Sequence, residues 1–392
     1  MEGKVIHPKL NELFPELVEL RRDFHKHPEL MYDLPRTSKK VAEYLRTLNI
    51  EVVENVAQSG VVGIIRKPGP CILLRADMDA LPITEDLQTD YTSVHPGRKH
   101  ACGHDAHTAM LLVAAKVIAA NSEELKGSVK FCFQPAEEGG NGAKAMIEDS
   151  NYRVLENPDV SEVYGIHVTN ALPIGDIWLS EKYMSCDVDF FTIKIRGKGG
   201  HASTPHLCID PLVTGSHLVL ELQRIVAREV NPKHQAVVSV TCFKGGEAYN
   251  AIPEHCEIRG TTRCYEKEVK ELIDSRMQEI CNGVGRSSGC EVELIFHRLY
   301  DPITNDPDCI QKTLDTYRAI SPNFEKETSN PMIGEDFSEF TKVKPGCFYM
   351  LGCATEEKNA HLHTAQFDIE ERAMLIGASY WVKLVENLLI NN

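Results

Sequence analysis

The apolar residues in the first half of the chain follow two different periods. Those at 14–26 and 37–48 fall on one stripe of a helix, and the second helix is expected to begin with Thr37 or Ser38 as its N-cap. Short runs rich in apolar and β-branched residues predict strands between and after the helices. These strands are predicted at 51–56, 61–66, 71–74, 129–134 and 163–168, with a further helix at 105–120. The alternation of strand and helix predicts a three-layer α/β domain.

The pattern changes in the middle of the chain. At 191–196 apolar residues alternate with Thr192, Lys194 and Arg196, which is typical of a half-exposed strand. The opposite parity of Val188 and Phe190 predicts a bulge near Phe190. Helices are predicted next at 210–229 and 267–284, and strands at 236–241, 256–262 and 291–296. Strand, helix, strand, strand, helix, strand is the order of a small split βαβ sandwich.

After Pro302 the helix-and-loop pattern of the first half returns, and it ends in a helix predicted at 369–390. We therefore expect a larger domain made of residues 1–182 and 297–392. The small sandwich, at 183–296, is expected to be inserted into it.

Composition excludes several classes of protein. The 392 residues are 42% hydrophobic and 25% charged, as in globular proteins, and the net charge is −15. Such acidity gives no general attraction to nucleic acid or to an anionic membrane, and we expect neither as a partner. The N-terminus lacks the apolar core of a secretory signal, and the longest apolar stretch, 109–120, is too short to span a bilayer. Thirteen cysteines without a CxxC pair indicate free thiols in a reducing cytoplasm.

Candidate chemistry lies where histidines stand beside thiols and carboxylates. Cys102 and His104 flank Gly103 just before the predicted helix, and both are ligand types that zinc prefers. The alternative interpretation is an ordinary helix start capped by Asp105. Glu137 and Glu138 follow a buried strand, so that one carboxylate can bind a metal while the other takes a proton from metal-bound water. The alternative there is a solvated acidic loop.

Two further histidines are weaker candidates when taken singly. His167 lies on an apolar strand, where a buried core histidine is the alternative, and His363 lies in a polar stretch near the C-terminus. With Cys102, His104 and Glu138 they make five candidate ligands, the number that two metal ions sharing a bridge would need. Spacing along the chain does not establish that the five converge.

Seven motifs stand in order between about residue 20 and residue 370: His25–Leu30, Arg75–Pro82, Ala101–His107, Gln134–Gly140, Gly197–Ser203, Gly260–Arg263 and Gly334–Ser338. Together they resemble the amidohydrolase branch of the aminoacylase/carboxypeptidase metallopeptidase family. That branch includes hippurate hydrolases, indole-acetyl-amino-acid hydrolases and N-acetyl-diaminopimelate deacetylases. The resemblance implies a zinc-peptidase-like three-layer catalytic domain, an inserted α+β dimerisation (lid) domain and a homodimer.

The resemblance also implies a metal centre. It would hold two divalent ions, zinc or manganese and alternatively cobalt, with Cys102 as the bridge. The other ligands would be His104, Glu138, His167 and His363. In many family members outside this branch, a histidine ligand stands at the place of Asp77 and an aspartate bridge at the place of Cys102.

The remaining implied roles concern catalysis and the substrate. Glu137 would be the general base and then the acid, and Asp79 would orient a ligand histidine. His201 would stabilise the oxyanion, usually in the active site of the partner subunit. Asn250 and Arg263 would hold the substrate, with the planar fork of Arg263 suited to a carboxylate.

The implied reaction is hydrolysis of the amide bond of an N-acyl amino acid by a metal-activated water, with Glu137 as base. Two alternatives remain from the sequence. One is a dipeptidase or carboxypeptidase of the same family. The other is a catalytically silent homologue that binds a ligand or a partner.

Overall fold

A computed structural model describes residues 4–391, which form two compact units. The first unit comprises residues 4–184, 303–330 and 336–391. The second comprises residues 185–302 and the short segment 331–335. That segment joins the second unit although it stands well apart from the rest of the unit along the chain.

Helices and strands alternate through most of the first unit. The α-helices within residues 4–391 are α1 (Pro8–Glu12), α2 (Phe14–Lys26), α3 (Pro35–Thr47), α4 (His104–Ala120), α5 (Glu137–Gly140), α6 (Gly142–Glu148), α7 (Pro211–Arg224), α8 (Lys267–Ser288), α9 (Pro307–Ile320), α10 (Ser338–Val343) and α11 (Ala373–Leu389). The strands are β1 (Glu51–Val56), β2 (Gly60–Ile65), β3 (Cys71–Asp77), β4 (Ser128–Gln134), β5 (Glu162–Pro173), β6 (Ile177–Trp178), β7 (Asp187–Arg196), β8 (Gly200–His201), β9 (Ala236–Gly245), β10 (Ala251–Ile252), β11 (His255–Cys264), β12 (Glu291–Tyr300), β13 (Lys326–Glu327) and β14 (Gly346–Ala354).

The first unit is built on an eight-stranded sheet with the order β1-β2-β4-β3-β5-β14-β6-β13. Its centre is parallel, because β3 pairs in parallel with β4 and β5, and β14 pairs in parallel with β5. The carboxyl ends of these central strands therefore meet at one edge of the sheet, where open α/β sheets place their sites.

Helices cover both faces of this sheet. Phe131 and Phe133 of β4 belong to the apolar core that contains the buried residues of α4. Cys132, on the opposite face of the same strand, lies 3.8 Å from the sulfur of Met146 in α6. Because neighbouring residues of a strand point to opposite faces, α4 and α6 lie on different sides of the sheet. The predicted three-layer α/β class is confirmed.

The second unit is a four-stranded antiparallel sheet with the order β12-β7-β11-β9. Its elements follow the predicted order of strand, helix, strand, strand, helix, strand. The inward residues of β7 and β11 form an apolar core with α7 and α8, including Ile193, Ile258, Leu218 and Met277. The predicted alternation of β7 over 191–196 is observed, with Thr192 partly exposed and Lys194 and Arg196 exposed.

The bulge predicted in β7 near Phe190 is absent, because the register between β7 and β11 is unbroken from Asp187 to Arg196. The irregularity lies instead in the neighbouring strand β12, between Arg298 and Tyr300, which pair with Asp189 and Val188. Val188 is buried on the outer face because the segment 331–335 covers it there, and a Cβ on Gly334 would lie 3.0 Å from the Val188 side chain. Val188 is therefore apolar because another segment covers it on the outer face, and not because β7 contains an extra residue.

The predicted N-cap of α3 is also wrong. The helix begins at Pro35, whose fixed φ suits a first helical position, and no side chain at its N-cap residue bonds the free amides. Glu29 takes that role from outside the helix, because its carboxylate accepts the amides of Arg36 at 3.1 Å and Thr37 at 2.8 Å. The motif around His25–Leu30 thus anchors the start of α3.

Two other features bear on the expectations from composition. None of the helices between residues 4 and 391 combines the length and apolarity that a bilayer crossing requires. All 13 cysteines are free thiols, and most of them are buried.

Glu29→Ala should lower the free energy of unfolding by about 1 to 2 kcal/mol, because two helix amides lose their acceptor. Chemical denaturation measures the change. Glu29→Gln is the matched control, since one amide oxygen remains as an acceptor, and it should lose less stability than Glu29→Ala. Equal losses in the two variants would contradict this account of α3.

Candidate metal centre

The polar side chains at the carboxyl edge of the first unit's sheet come from five segments. Asp79 follows β3, Cys102 and His104 lie at the start of α4, Glu137 and Glu138 follow β4, His167 lies within β5, and His363 lies in the loop after β14. All of them belong to the first unit. The sheet edge thus gathers the five predicted ligands and two of the predicted catalytic residues.

A first group of potential ligand atoms comprises Cys102, His104 and His167, and these atoms lie within 4.8 Å of one another. The Sγ of Cys102 is 3.3 Å from Nε2 of His167. Gly103 between the first two has φ +90°, and a Cβ there would meet Val168 at 2.3 Å, so the turn requires glycine. The alternative of Asp105 as the capping residue is wrong, since the N-cap of α4 is Gly103 and Asp105 lies inside the first turn, where its Oδ1 accepts the amide of Ala106 at 3.0 Å.

A second group comprises Cys102, Glu138 and His363, again with ligand atoms within 4.8 Å. Nε2 of His363 lies 3.3 Å from the Cys102 Sγ and 3.3 Å from Oε1 of Glu138. The two groups share one atom, the sulfur of Cys102. One thiolate therefore has the position that a bridge between two ions requires.

In His104 and His167, the ring nitrogen Nδ1 is hydrogen-bonded to a backbone carbonyl. Nδ1 of His104 donates to the carbonyl of Asp79 at 2.8 Å, and Nδ1 of His167 donates to the carbonyl of Val168 at 2.6 Å. Each bond fixes the tautomer with its hydrogen on Nδ1. The lone pair of each Nε2 is then directed into the cluster, as in metal-binding histidines.

Asp79 supports the neighbouring loop through its carboxylate. Oδ1 accepts the amide of Glu137 at 3.0 Å, and Oδ2 accepts the amide of Glu138 at 3.2 Å. The turn before them places Ala136 at φ +54°, a left-handed conformation that an L residue adopts only under constraint. Asp79 contacts a predicted ligand histidine as expected, through its carbonyl at 2.8 Å and with Oδ1 3.5 Å from the same Nδ1 of His104. Its carboxylate also holds the backbone of the two glutamates.

The donor atoms of the cluster fit a bound cation. Nε2 of His104 is buried without a hydrogen-bond partner among residues 4–391, which is costly unless a further group binds it. Oε1 of the buried Glu138 has only Nε2 of His363 near it, at 3.3 Å. Burial, together with the charges of Glu138 and Glu137, raises the pKa of Cys102 well above its ordinary value. A positive charge between these acidic groups would relieve both penalties. With Glu137 only 6% exposed, the alternative of a solvated acidic loop is wrong.

Asp77 and His107 lie next to the candidate ligands, and the polar atoms of both side chains already have hydrogen-bond partners. Nδ1 of His107 donates to Oδ1 of Asp77 at 2.6 Å, and Nε2 of His107 accepts the amide of Val168 at 2.9 Å. Both ring nitrogens are therefore engaged. His107 supports the strand that carries His167 rather than offering a ligand atom.

Sequence reasoning missed a buried network beneath Asp77. The guanidinium of Arg75 donates to Gln134 at 2.8 Å, to Asp77 at 2.6 Å and to Asp336 at 3.0 Å. Burial opposes the charge of Asp77, but Arg75 and the nearby histidines hold its pKa well below the ordinary value. The available signal was an arginine at the end of an otherwise apolar strand.

The second unit carries the other three predicted residues. The exposed His201 of β8 pairs with Ala251 of β10, directly after Asn250, so His201 and Asn250 are neighbours. Nδ1 of His201 accepts the amide of Ser203 at 3.1 Å, which leaves Nε2 as the hydrogen-bearing nitrogen of the neutral ring. Arg263 of β11 donates to the carbonyl of Met332 at 3.3 Å.

The chain is similar to known proteins of one peptidase family. The profile of peptidase family M20/M25/M40 matches residues 73–387. The chain is 37% identical over 392 residues to an IAA-amino acid hydrolase of Arabidopsis thaliana, covering 97% of this chain and 88% of the relative. It is 37% identical over 378 residues to a thermostable carboxypeptidase of Saccharolobus solfataricus, covering 94% of each. A crystal structure from Bacillus subtilis, a dinuclear metal binding peptidase of the M20 family, has a TM-score of 0.82 at 30% identity, covering 97% of this chain and 99% of that one.

Asp79→Asn should weaken the binding of Zn²⁺ by about 10- to 100-fold. The side-chain NH₂ group of asparagine would face one of the two backbone N–H donors and could not accept its hydrogen bond. Calorimetric titration of metal-depleted protein measures the affinity. Asp33→Asn, an exposed carboxylate nearby in sequence, is the matched control and should bind as the wild type does. An unchanged affinity in a folded Asp79→Asn variant would remove Asp79 from this role.

Proposed function

Because this chain belongs to peptidase family M20/M25/M40, we propose that it is a metal-dependent amidohydrolase that cleaves the amide bond of N-acyl amino acids. The observation that carries the proposal is the pair of ligand groups that share the sulfur of Cys102. The buried carboxylate of Glu137 lies beside them, with its Oε2 3.9 Å from Nε2 of His104. A silent homologue would have no need to keep this arrangement complete.

We propose that two divalent ions bind, one in each group, with Cys102 as the bridge. A bound pair of ions would polarise the acyl carbonyl and make water acidic enough to be activated near neutral pH. Thiolate ligation favours zinc, and manganese and cobalt are the other candidates. Support comes from the unpartnered Nε2 of His104 and from the relative whose structure is described as dinuclear metal binding.

Glu137 is proposed as the group that moves the proton. Its backbone amide is held by Asp79, and its side chain is almost completely buried, so the carboxylate has a defined position. It takes a proton from the attacking water as the new carbon–oxygen bond forms. It then gives that proton to the amide nitrogen as the carbon–nitrogen bond breaks. One water is consumed, and a carboxylic acid and a free amino acid leave.

Three residues of the second unit are proposed to act on the substrate. The hydrogen on Nε2 of His201 suits it to donate to the oxyanion of the tetrahedral intermediate. Its neighbour Asn250 and the guanidinium of Arg263 are proposed to bind the substrate. Arg263 would pair with the free carboxylate of the amino acid part.

The amino acid part of the substrate should carry a free α-carboxylate. The two relatives carry names, IAA-amino acid hydrolase and carboxypeptidase, that both describe release of a carboxylate-bearing amino acid from an amide. Their names differ on the acyl side. We therefore propose specificity for the carboxylate and keep a carboxypeptidase that accepts an acylated peptide as the second candidate.

The test compares paired substrates on metal-depleted protein with each metal added back. N-benzoylglycine should be hydrolysed, and N-benzoylglycinamide, which lacks only the carboxylate, should be hydrolysed at least about 100-fold more slowly because Arg263 loses its partner. N-acetyl dipeptides identify the carboxypeptidase candidate. Absence of bound metal, with no activity after addition of zinc, manganese or cobalt, would favour a silent homologue.

Glu137→Gln and Glu138→Gln make a matched pair for the same assay. The first should lose about 1,000-fold or more in kcat and still bind two ions, because only the proton acceptor is lost. The second should lose both activity and one ion. Near-normal turnover in Glu137→Gln would remove it from the mechanism.

We further propose that the protein is a cytoplasmic homodimer formed through the second unit. Val213 and Leu220 of α7 are 68% and 70% exposed, and at a spacing of seven they lie on one face of the helix. Exposed apolar residues on one face are typical of an interface. Thirteen free thiols support a reducing compartment.

Mixing Glu137→Gln with His201→Ala tests whether each active site draws on both chains. Random exchange makes half of the dimers mixed, and each has one intact site, so about a quarter of wild-type activity should return. The two parent variants, each kept alone, are the controls. No recovery after verified exchange would place both residues in one chain's site.

A further inference from the structure

Arg21 is a fully buried arginine of α2 that the proposed mechanism does not use. Each nitrogen of its guanidinium meets a different carboxylate. Nε donates to Asp105 at 2.9 Å, Nη2 donates to Asp368 at 2.7 Å, and Nη1 approaches Glu371 at 3.4 Å. A charge buried this completely is tolerated only where its partners are held in place.

The first two partners of Arg21 stand beside residues of the metal centre. Asp105 directly follows His104 in the first turn of α4. Asp368 stands five residues after His363, in the loop between β14 and α11. One guanidinium therefore joins the segment that carries Cys102 and His104 to the loop that carries His363.

The Asp105 side of this connection is anchored independently. Its Oδ2 also accepts from Nδ1 of His25 at 2.7 Å, and the other nitrogen of that ring meets Glu85 at 2.8 Å. Asp105 itself lies within the first turn of a 17-residue helix. The motif at His25 thus fixes one end of the connection.

The His363 loop lies outside regular secondary structure and is held by individual hydrogen bonds. His363 has φ +63°, and its side chain is 53% exposed. Its amide donates to the carbonyl of Ala101 at 2.8 Å, and Lys99 donates to the carbonyl of Ala365 at 2.7 Å. By contrast, His104 lies in a helix and His167 in a central strand.

Asp368 is the carboxylate that ties this loop to Arg21, beside the buried side chains of Phe367 and Ile369 and the bond from Nδ2 of Asn170 to the Asp368 carbonyl at 2.9 Å. Its Oδ1 accepts from Arg21, while Oδ2 accepts from Tyr91 at 2.8 Å and from Lys358 at 2.6 Å. Loss of the carboxylate would therefore free the loop from Arg21 without removing any ligand atom. Metal binding should therefore weaken in the group of ligands that contains His363.

We propose that Arg21 is a positioning residue that, through Asp368, holds His363 against Cys102 and sets the affinity of one of the two ions. The proposal rests on the two-ion centre proposed above. The affected ion is the one in the group of Cys102, Glu138 and His363. The group of Cys102, His104 and His167 keeps its ion, because its histidines are held by regular secondary structure.

The experiment is calorimetric titration of the metal-depleted full-length protein with Zn²⁺ and with Co²⁺. The wild type should bind two ions. Asp368→Asn should bind one ion within about twofold of the wild-type affinity and the other about 10- to 100-fold more weakly. The cobalt–thiolate absorption of the first equivalent should keep its wild-type intensity, because Cys102 still binds the tighter ion.

Glu371→Gln is the matched control. It removes a charge from the same arginine, but at a position eight residues after His363 and next to α11, and it should bind both ions normally. Tyr91→Phe is the second test variant, because it removes a single hydrogen bond to Asp368 and keeps the fold if Asp368→Asn does not. It should weaken only the second ion, by about two- to fivefold.

Two results would overturn the proposal. One is equal weakening of both ions in a folded variant, which would indicate a general structural role. The other is unchanged binding of both ions in Tyr91→Phe and in every folded Asp368 variant. A wild type that binds fewer than two ions would contradict the two-ion centre itself, and this outcome is distinguished by the wild-type titration alone.

Discussion

The carboxylate of Asp79 accepts the amides of Glu137 and Glu138, and the candidate centre depends on that pair of bonds. Asp79 is buried, and burial raises its pKa, so each amide that it accepts helps to keep it charged. Its carbonyl holds His104 at the same time. Two segments from different parts of the chain thus take their positions from one residue. Because both backbone amides are fixed, the adjacent side chains of Glu137 and Glu138 can have different positions and therefore different roles.

Much of the fold follows from periodicity. The apolar runs of β3, β4 and β5 are strands buried on both faces, and a period-two pattern marks β7. Neighbouring residues in the chain decide such patterns, so they are legible in the sequence. The start of α3 depends on Glu29, which lies outside the helix and seven to eight residues before the amides that it accepts. The burial of Val188 depends on the segment 331–335, more than 140 residues away. Periodicity contains no information about either of them.

The same distinction applies to the metal centre. The residue types of the five ligands are visible in the sequence, and their motifs resemble a known family. What the sequence does not show is which atoms meet, such as the sulfur of Cys102 between two groups, or the carbonyl rather than the carboxylate of Asp79 on His104. The buried networks around Arg75 and Arg21 were missed for a related reason. An arginine in an apolar surrounding is recognisable, but most of its carboxylate partners, such as Asp336 for Arg75 and Asp368 for Arg21, lie hundreds of residues away.

The strand order has a consequence for synthesis of the chain. Strand β14 lies in the sheet between β5 and β6, yet it is the last strand to leave the ribosome. The second unit, in contrast, has all four strands of its main sheet by Tyr300. The sheet that carries the metal centre therefore stays open, with β5 exposed along one edge, while the second unit can already fold. An exposed apolar edge is prone to wrong pairing, so this interval is the most aggregation-sensitive stage in the making of the protein.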